Sequence, residues 1–489
     1  MTCLVRSAAY GLVLLAILLI DEAGAHGFGQ RYDLPLPLWL YLWGAGAAVA
    51  ASFAFLTFFR RPDKAGAQRL FDDESSLASG TIARVVVVPL QILSVVALVL
   101  IVAAGFWGNQ SPLKNIAPVT VWVVWWVGLA YLSAFAGNVW AILNPWSAAF
   151  GFADALARKC AGRQGIPTVL SYPSWLGRWP AIVVFLMFAW AELVAPDRDV
   201  PFNIAAVLTL YSALTWTGFV LFGREAWLSN AEAFSVFFAL LGRFAPLSFS
   251  HDGKCWTWSL RPYAVGLLTR KPLTISATAF VLLTLATITV DGLLETPPWA
   301  ATADMLLAKS PSGAFEPAHY AVLASILLCV APLLFGAAFF GVITVMSKIA
   351  YGASGARRPV ADLAGLFVLS LVPITIAYHL AHYLSFFLLA GQFVIPLASD
   401  PFGYGWDLFG TSLYRIDLSV INARMVWYVA VAAIVAGHII AVWLSHEIAF
   451  HAFRDAAARR SQYPMMVLMV GYTMISLWIL AQPIVETRG

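Results

Sequence analysis

The chain has 489 residues, 61% of them hydrophobic and only 11% charged, against about 25% charged in a soluble domain. That balance excludes an ordinary soluble enzyme and predicts an all-α, polytopic membrane bundle whose first partner is the lipid bilayer. The small formal net charge of +4 argues for no nucleic-acid partner.

Arg6, the short apolar run 12–20 and the small residues Ala23-Gly24-Ala25 have the layout of a secretory signal. We read residues 1–25 as a signal peptide cleaved after Ala25, which leaves His26 first in the mature chain; an uncleaved signal anchor is the alternative. Residues 26–489 then form a single polytopic membrane domain. The four cysteines, Cys3, Cys160, Cys255 and Cys329, make neither a CxxC nor a disulfide framework. Leu34-Pro35-Leu36-Pro37 leads stiffly into the first span. Apolar stretches near 37–58, 85–107, 118–142, 180–195, 202–222, 273–290, 319–347, 363–391, 425–446 and 464–484 predict about ten transmembrane helices. The fourth is short, and Pro180 is suited to open it, because proline is tolerated in a first helical turn.

Of the 29 Lys and Arg residues, 21 fall in the loops of one face and 7 in those of the other, with Arg6 in the leader. The positive-inside rule makes the basic face cytoplasmic, in a bacterial inner membrane, with both mature termini periplasmic. The stretch 226–242 is apolar but holds Asn230 and Glu232. Were it to cross, Arg243, Lys254, Arg261, Arg270 and Lys271 would land outside. We therefore place 223–271 on the cytoplasmic side, with 226–242 an interfacial or re-entrant helix. Cys255-Trp256-Thr257-Trp258 alternates like a strand, so a small hairpin is expected within 248–262. The loops 291–317 and 392–424 are the longest outward segments, carry seven acids between them and have the length to cover a site.

Histidines provide the main functional signal. His379 and His382 are three apart on one very apolar span and share a face. His438 lies near the middle of the next span. Imidazole inside a bilayer needs a partner. Neutral imidazoles bind zinc, copper and iron, a catalytic zinc keeps a position open for water, and haem takes one histidine at each axial position. The alternatives are a metal or haem site, a proton-handling site, or hydrogen-bonded helix glue. A free N-terminal His26 adds an amine to its imidazole, a chelate suited to copper. His446, Glu447 and His451 read as polar residues at the membrane surface, and Glu192 as one half of an interfacial salt bridge. Asn138 and Asn144 read as structural.

His26-Gly27-Phe28-Gly29-Gln30-Arg31-Tyr32-Asp33-Leu34-Pro35-Leu36-Pro37 resembles a bacterial membrane family known as fenitrothion hydrolases. Ala231-Glu232-Ala233-Phe234-Ser235-Val236, Leu241-Gly242-Arg243-Phe244-Ala245-Pro246 and the two histidine-bearing spans are similar to the same family. The resemblance implies hydrolysis of a small lipophilic organophosphorus triester with release of a nitrophenol. A metal on His379, His382 and His438 would acidify a bound water and polarise the phosphoryl oxygen. The other reading is a non-hydrolytic membrane protein that binds copper or haem, or transports a metal ion.

Overall fold

The structure is a computed structural model that describes residues 32–59, 77–161, 165–251, 255–307, 317–352, 358–453 and 455–486. His26 and the leader lie outside the described residues. Within these bounds the chain is a helical bundle, and nine helices are long and apolar enough to cross a membrane. They are α1 (Leu38–Phe59), α2 (Arg84–Trp107), α3 (Ile116–Phe135), α5 (Pro201–Phe222), α7 (Ile275–Leu294), α8 (Ala318–Tyr351), α9 (Val360–Ser399), α10 (Ala423–Ala452) and α11 (Ala457–Gln482). Two shorter apolar helices join them, α4 (Trp179–Leu193) and α6 (Ala233–Gly242). With α4, each of the ten expected stretches is helical, nine of them long enough to cross, and Pro180 does sit in the first turn of α4.

Burial sorts these helices. The apolar stretches of α9 and α7 are 83% and 78% buried, that of α2 only 6%. The histidine-bearing α9 therefore runs through the centre of the protein, and α2 turns its side chains to lipid. α9 and α10 share the most extensive helix contact in the fold. They close on Gly437, where an added Cβ would lie 2.6 Å from the Ala377 Cβ and 2.8 Å from the Pro373 carbonyl oxygen. Pro373 also shapes α9. It has no N–H to give the preceding turn, and the backbone tightens to a 3-10 turn over Val368–Leu371 just before it. α3 departs the other way, winding as a π-helix over Val119–Gly128. That stretch carries Trp122, Trp125 and Trp126.

The segment 226–242 is helical but is not one helix. The helix Arg224–Asn230 ends before α6 begins. Ala233, Phe234, Val236, Phe237, Phe238, Leu240 and Leu241 are all buried in the main core. α6 is thus enclosed by protein. Glu232 caps it, accepting from the backbone N–H of Phe234 and Ser235. The same carboxylate takes the Tyr211 hydroxyl and, at 3.2 Å, the Asn144 amide. Asn144 thus acts as the structural tie its sequence position implied.

The expected hairpin is present as β3 (Leu247–His251) and β4 (Trp256–Leu260). A strand the sequence did not disclose, β2 (Ala78–Ile82), pairs antiparallel with β4 and completes a three-stranded sheet. At the opposite end of the bundle, β1 (Tyr32–Asp33) and β5 (Val485–Glu486) pair in parallel. The two ends of the described chain therefore meet on one face, as an even number of crossings requires.

Candidate functional site

The site forms where α9 meets α7 and α4. His382 Nε2 lies 2.9 Å from Asp291 Oδ2, so the imidazole N–H donates to the carboxylate. The next residue, Tyr383, brings its hydroxyl to the same carboxylate, 2.5 Å from Asp291 Oδ2, and within 3.1 Å of Glu192 Oε1. One hydroxyl carries one proton. It satisfies both carboxyl groups only by sharing that proton, or by accepting one from whichever acid is protonated. Four side chains from three helices thus form a continuous hydrogen-bonded line.

This line borders a cavity of about 430 Å³ that opens to one face. Glu192, Asp291, Glu295, His382, Tyr383 and Arg198 supply its polar wall, and Trp122, Phe386, Val426 and Leu480 much of the apolar one. The side chains of His382 and Asp291 are only 11% and 16% exposed. Asp199 adds a fourth carboxylate to the lining. Burial pushes the Glu295 carboxyl above its usual range, while His382 and Arg198 pull it back. Leu480 lies near the end of α11, just before β5, so the cavity opens on the face where the chain ends meet.

The three predicted histidines do not share one centre. His382 is committed to Asp291. His379 is buried at 3% exposure, and neither ring nitrogen has a hydrogen-bond partner among the described residues. Its ring is boxed by Trp126, Tyr131 and Tyr383, with centroids 5.4, 5.6 and 4.7 Å away. His438 is fully buried on α10. Its Nδ1 donates to the Ile434 carbonyl at 2.8 Å, which leaves Nε2 as the acceptor, without a partner among the described residues. Its ring faces Tyr472 at 5.9 Å. Among the described residues no group of three or more His, Cys, Asp or Glu side chains is placed to hold a metal ion.

Comparison with family models, curated proteins and solved structures gives no match. The site therefore rests on its own geometry.

Two other sequence readings change. The Glu192 carboxylate turns inward to Tyr383, and Arg198 donates instead to the Glu192 backbone carbonyl. His446 and Glu447, read from the sequence as polar residues at the membrane surface, are enclosed by protein at 3% and 5% exposure. His446 Nδ1 sits 3.2 Å from Gln462 Oε1. Asp291 and Tyr383 were missed as site residues. Asp291 falls at the end of an apolar run and reads as the first loop acid, yet it belongs to the last turn of α7. A signal was present: an acid still inside the helix, on a span otherwise free of charge.

Proposed function

We propose that this multi-pass membrane protein binds a small cationic solute in the cavity and exchanges protons with it through His382, Asp291, Tyr383 and Glu192. One arrangement carries the reading: a tyrosine hydroxyl shared by two carboxylates, one of them paired with an imidazole, on the wall of an open cavity. Histidines and acids inside a bundle are costly to insert and characteristically form proton relays. Four carboxylates against Arg198 and His382 favour a cation, and protonating the network weakens its hold. The Lys and Arg distribution assigns the open face to the periplasm of a bacterial inner membrane. The test uses purified protein in liposomes loaded with a pH-sensitive dye and challenged separately with manganese, zinc, spermidine and tetramethylammonium. Solute-dependent proton movement that Asp291→Asn abolishes supports the reading. Movement with none of these probes, or with Asp291→Asn equal to wild type, refutes it.

A second reading is favoured by the His382–Asp291 pair and by the resemblance to fenitrothion hydrolases. A carboxylate that orients an imidazole is the support a general base needs, and the apolar half of the cavity suits a neutral triester. Water activated by His382 would attack phosphorus and expel the nitrophenolate. A metal or haem on His379, His382 and His438 finds no support in how those side chains are disposed. Nitrophenol release from fenitrothion by purified protein, lost in His382→Gln, would favour hydrolysis; equal rates with and without protein would remove it.

A further inference from the structure

The cavity holds more hydrogen-bond acceptors than its own donors supply. Tyr383 has one proton for the carboxyl groups of Asp291 and Glu192, and His382 gives its Nε2 proton to Asp291. Arg198 lies 3.9 Å from Asp199 and donates to the Glu192 backbone carbonyl. Glu295, the C-terminal cap of α7, also lines the cavity. Its carboxylate makes no hydrogen bond or ion pair among the described residues. Donors, and with them positive charge, have to come from what the cavity binds.

Size and lining narrow the class of cation. A volume of about 430 Å³ is in the range of sites for small organic molecules. A metal ion needs ligands that converge on it at about 2.0–2.6 Å, and no three His, Cys, Asp or Glu side chains among the described residues are placed to do so. Beside the acids, Trp122, Phe386, Val426 and Leu480 give an apolar lining for which a hydrated ion has no use. Trp122 comes from the π-helical stretch of α3, a rare winding that recurs at functional sites. Indole and phenyl rings are also the side chains whose faces attract a cation.

We propose that the ligand of the cavity is an organic ammonium with N–H donors and an apolar body, a primary or secondary amine in its charged form. Its N–H groups meet Glu295 and the line of Asp291, Tyr383 and Glu192, and its body lies against Trp122 and Phe386. The assignment rests on the reading of the cavity as a cation site and names the class of cation. A quaternary ammonium brings charge without a donor. A hydrated metal ion or a polyamine brings nothing for the apolar lining.

The experiment is titration calorimetry on the full chain in neutral detergent, with phenethylammonium, its N,N,N-trimethyl analogue, methylammonium and manganese as separate probes. Phenethylammonium should bind, and each of the others should bind about tenfold more weakly or worse, the scale of losing one hydrogen bond to a charged group or the burial of an apolar body. Glu295→Gln should weaken phenethylammonium about tenfold and keep the wild-type melting temperature, because no hydrogen bond depends on that carboxylate. Trp122→Leu should lower the preference for phenethylammonium over methylammonium, a change of ratio that general loosening does not produce. Phenethylammonium that fails to bind, or binds no better than any of the other three probes, overturns the assignment. So does Glu295→Gln protein that binds like wild type. Calorimetry reads binding alone, so the two readings fail separately. An amine that binds yet drives no proton movement in liposomes removes proton exchange and keeps the ligand. Proton movement driven by manganese, with no amine bound, keeps proton exchange and overturns the ligand.

Discussion

A double-mutant cycle on His382 and Asp291 tests the geometry of the site without knowledge of its ligand. His382→Gln and Asp291→Asn remove the charge pair from either side, and the double variant removes both. The side chains are 11% and 16% exposed and 2.9 Å apart, so solvent screening is small. A hydrogen bond to a charged group contributes roughly 1.5–3 kcal/mol. Cycles inside membrane proteins average about 0.6 and reach about 1.7 kcal/mol, because the unfolded chain finds other partners. The cavity beside the pair admits water and argues against the top of the first range. The expected coupling is therefore about 1–2 kcal/mol. Asp291→Asn alone should cost more than His382→Gln, since it also disturbs the Tyr383 hydroxyl. Reversible unfolding in a mixed micelle with increasing dodecyl sulfate, followed by tryptophan fluorescence, gives the four stabilities. A coupling under about 0.3 kcal/mol would mean that the pair does not form, and both readings of function would lose their base.

Other expectations follow from individual contacts. Gly437→Ala should destabilise by about 1–3 kcal/mol in the same assay, because the new methyl meets Ala377 and the Pro373 carbonyl, neither of which can swing away; an unchanged stability would show that α9 and α10 are not so closely packed. His379→Phe should be tolerated or stabilising by up to about 1 kcal/mol, since no hydrogen bond to the ring is lost and its box is aromatic. Loss of function in a stable His379→Phe protein would show that the ring takes part in the chemistry. The Ile166 backbone N–H and then Arg158 hold the Asp154 carboxyl below its usual value. Its contribution is present above about pH 4 and is lost as the pH falls toward the lowered native value. The protection of the Ile166 amide, its exchange relative to an unstructured amide at the same pH, should fall on acidification through that window, and Asp154→Asn should abolish the dependence.

Much of the fold is legible because the bilayer makes apolar length the governing signal. Each expected span has its helix, and Pro180 opens the short one. The site was legible only in part. His382 stood out because imidazole is rare in so apolar a run, but its partner lies on another helix, and one sequence does not say which faces meet. Three-residue spacing put His379 and His382 on one side of α9, and that side proved wide enough for different neighbours: an aromatic box for one, a carboxylate for the other. Depth matched His438 to them, but its azimuth on α10 points it to Tyr472. β2 escaped notice because five residues, Ala-Ser-Gly-Thr-Ile, carry little alternation and gain their structure only from β4.

The pairing of β1 with β5 has a consequence for biogenesis. The first helix among the described residues, α1, packs against α10 and α11, the last two of the nine long apolar helices. A membrane protein inserted from its N-terminus therefore releases α1 before either neighbour has been made. Until synthesis ends, that helix waits in lipid, and its composition allows it to: Leu38–Phe59 has no charged residue. Closure of the bundle is then the final event of assembly, and the cavity, whose wall includes Leu480 of α11, is not complete until the last span arrives. Chains truncated before α11 should insert and yet leave that part of the cavity wall open.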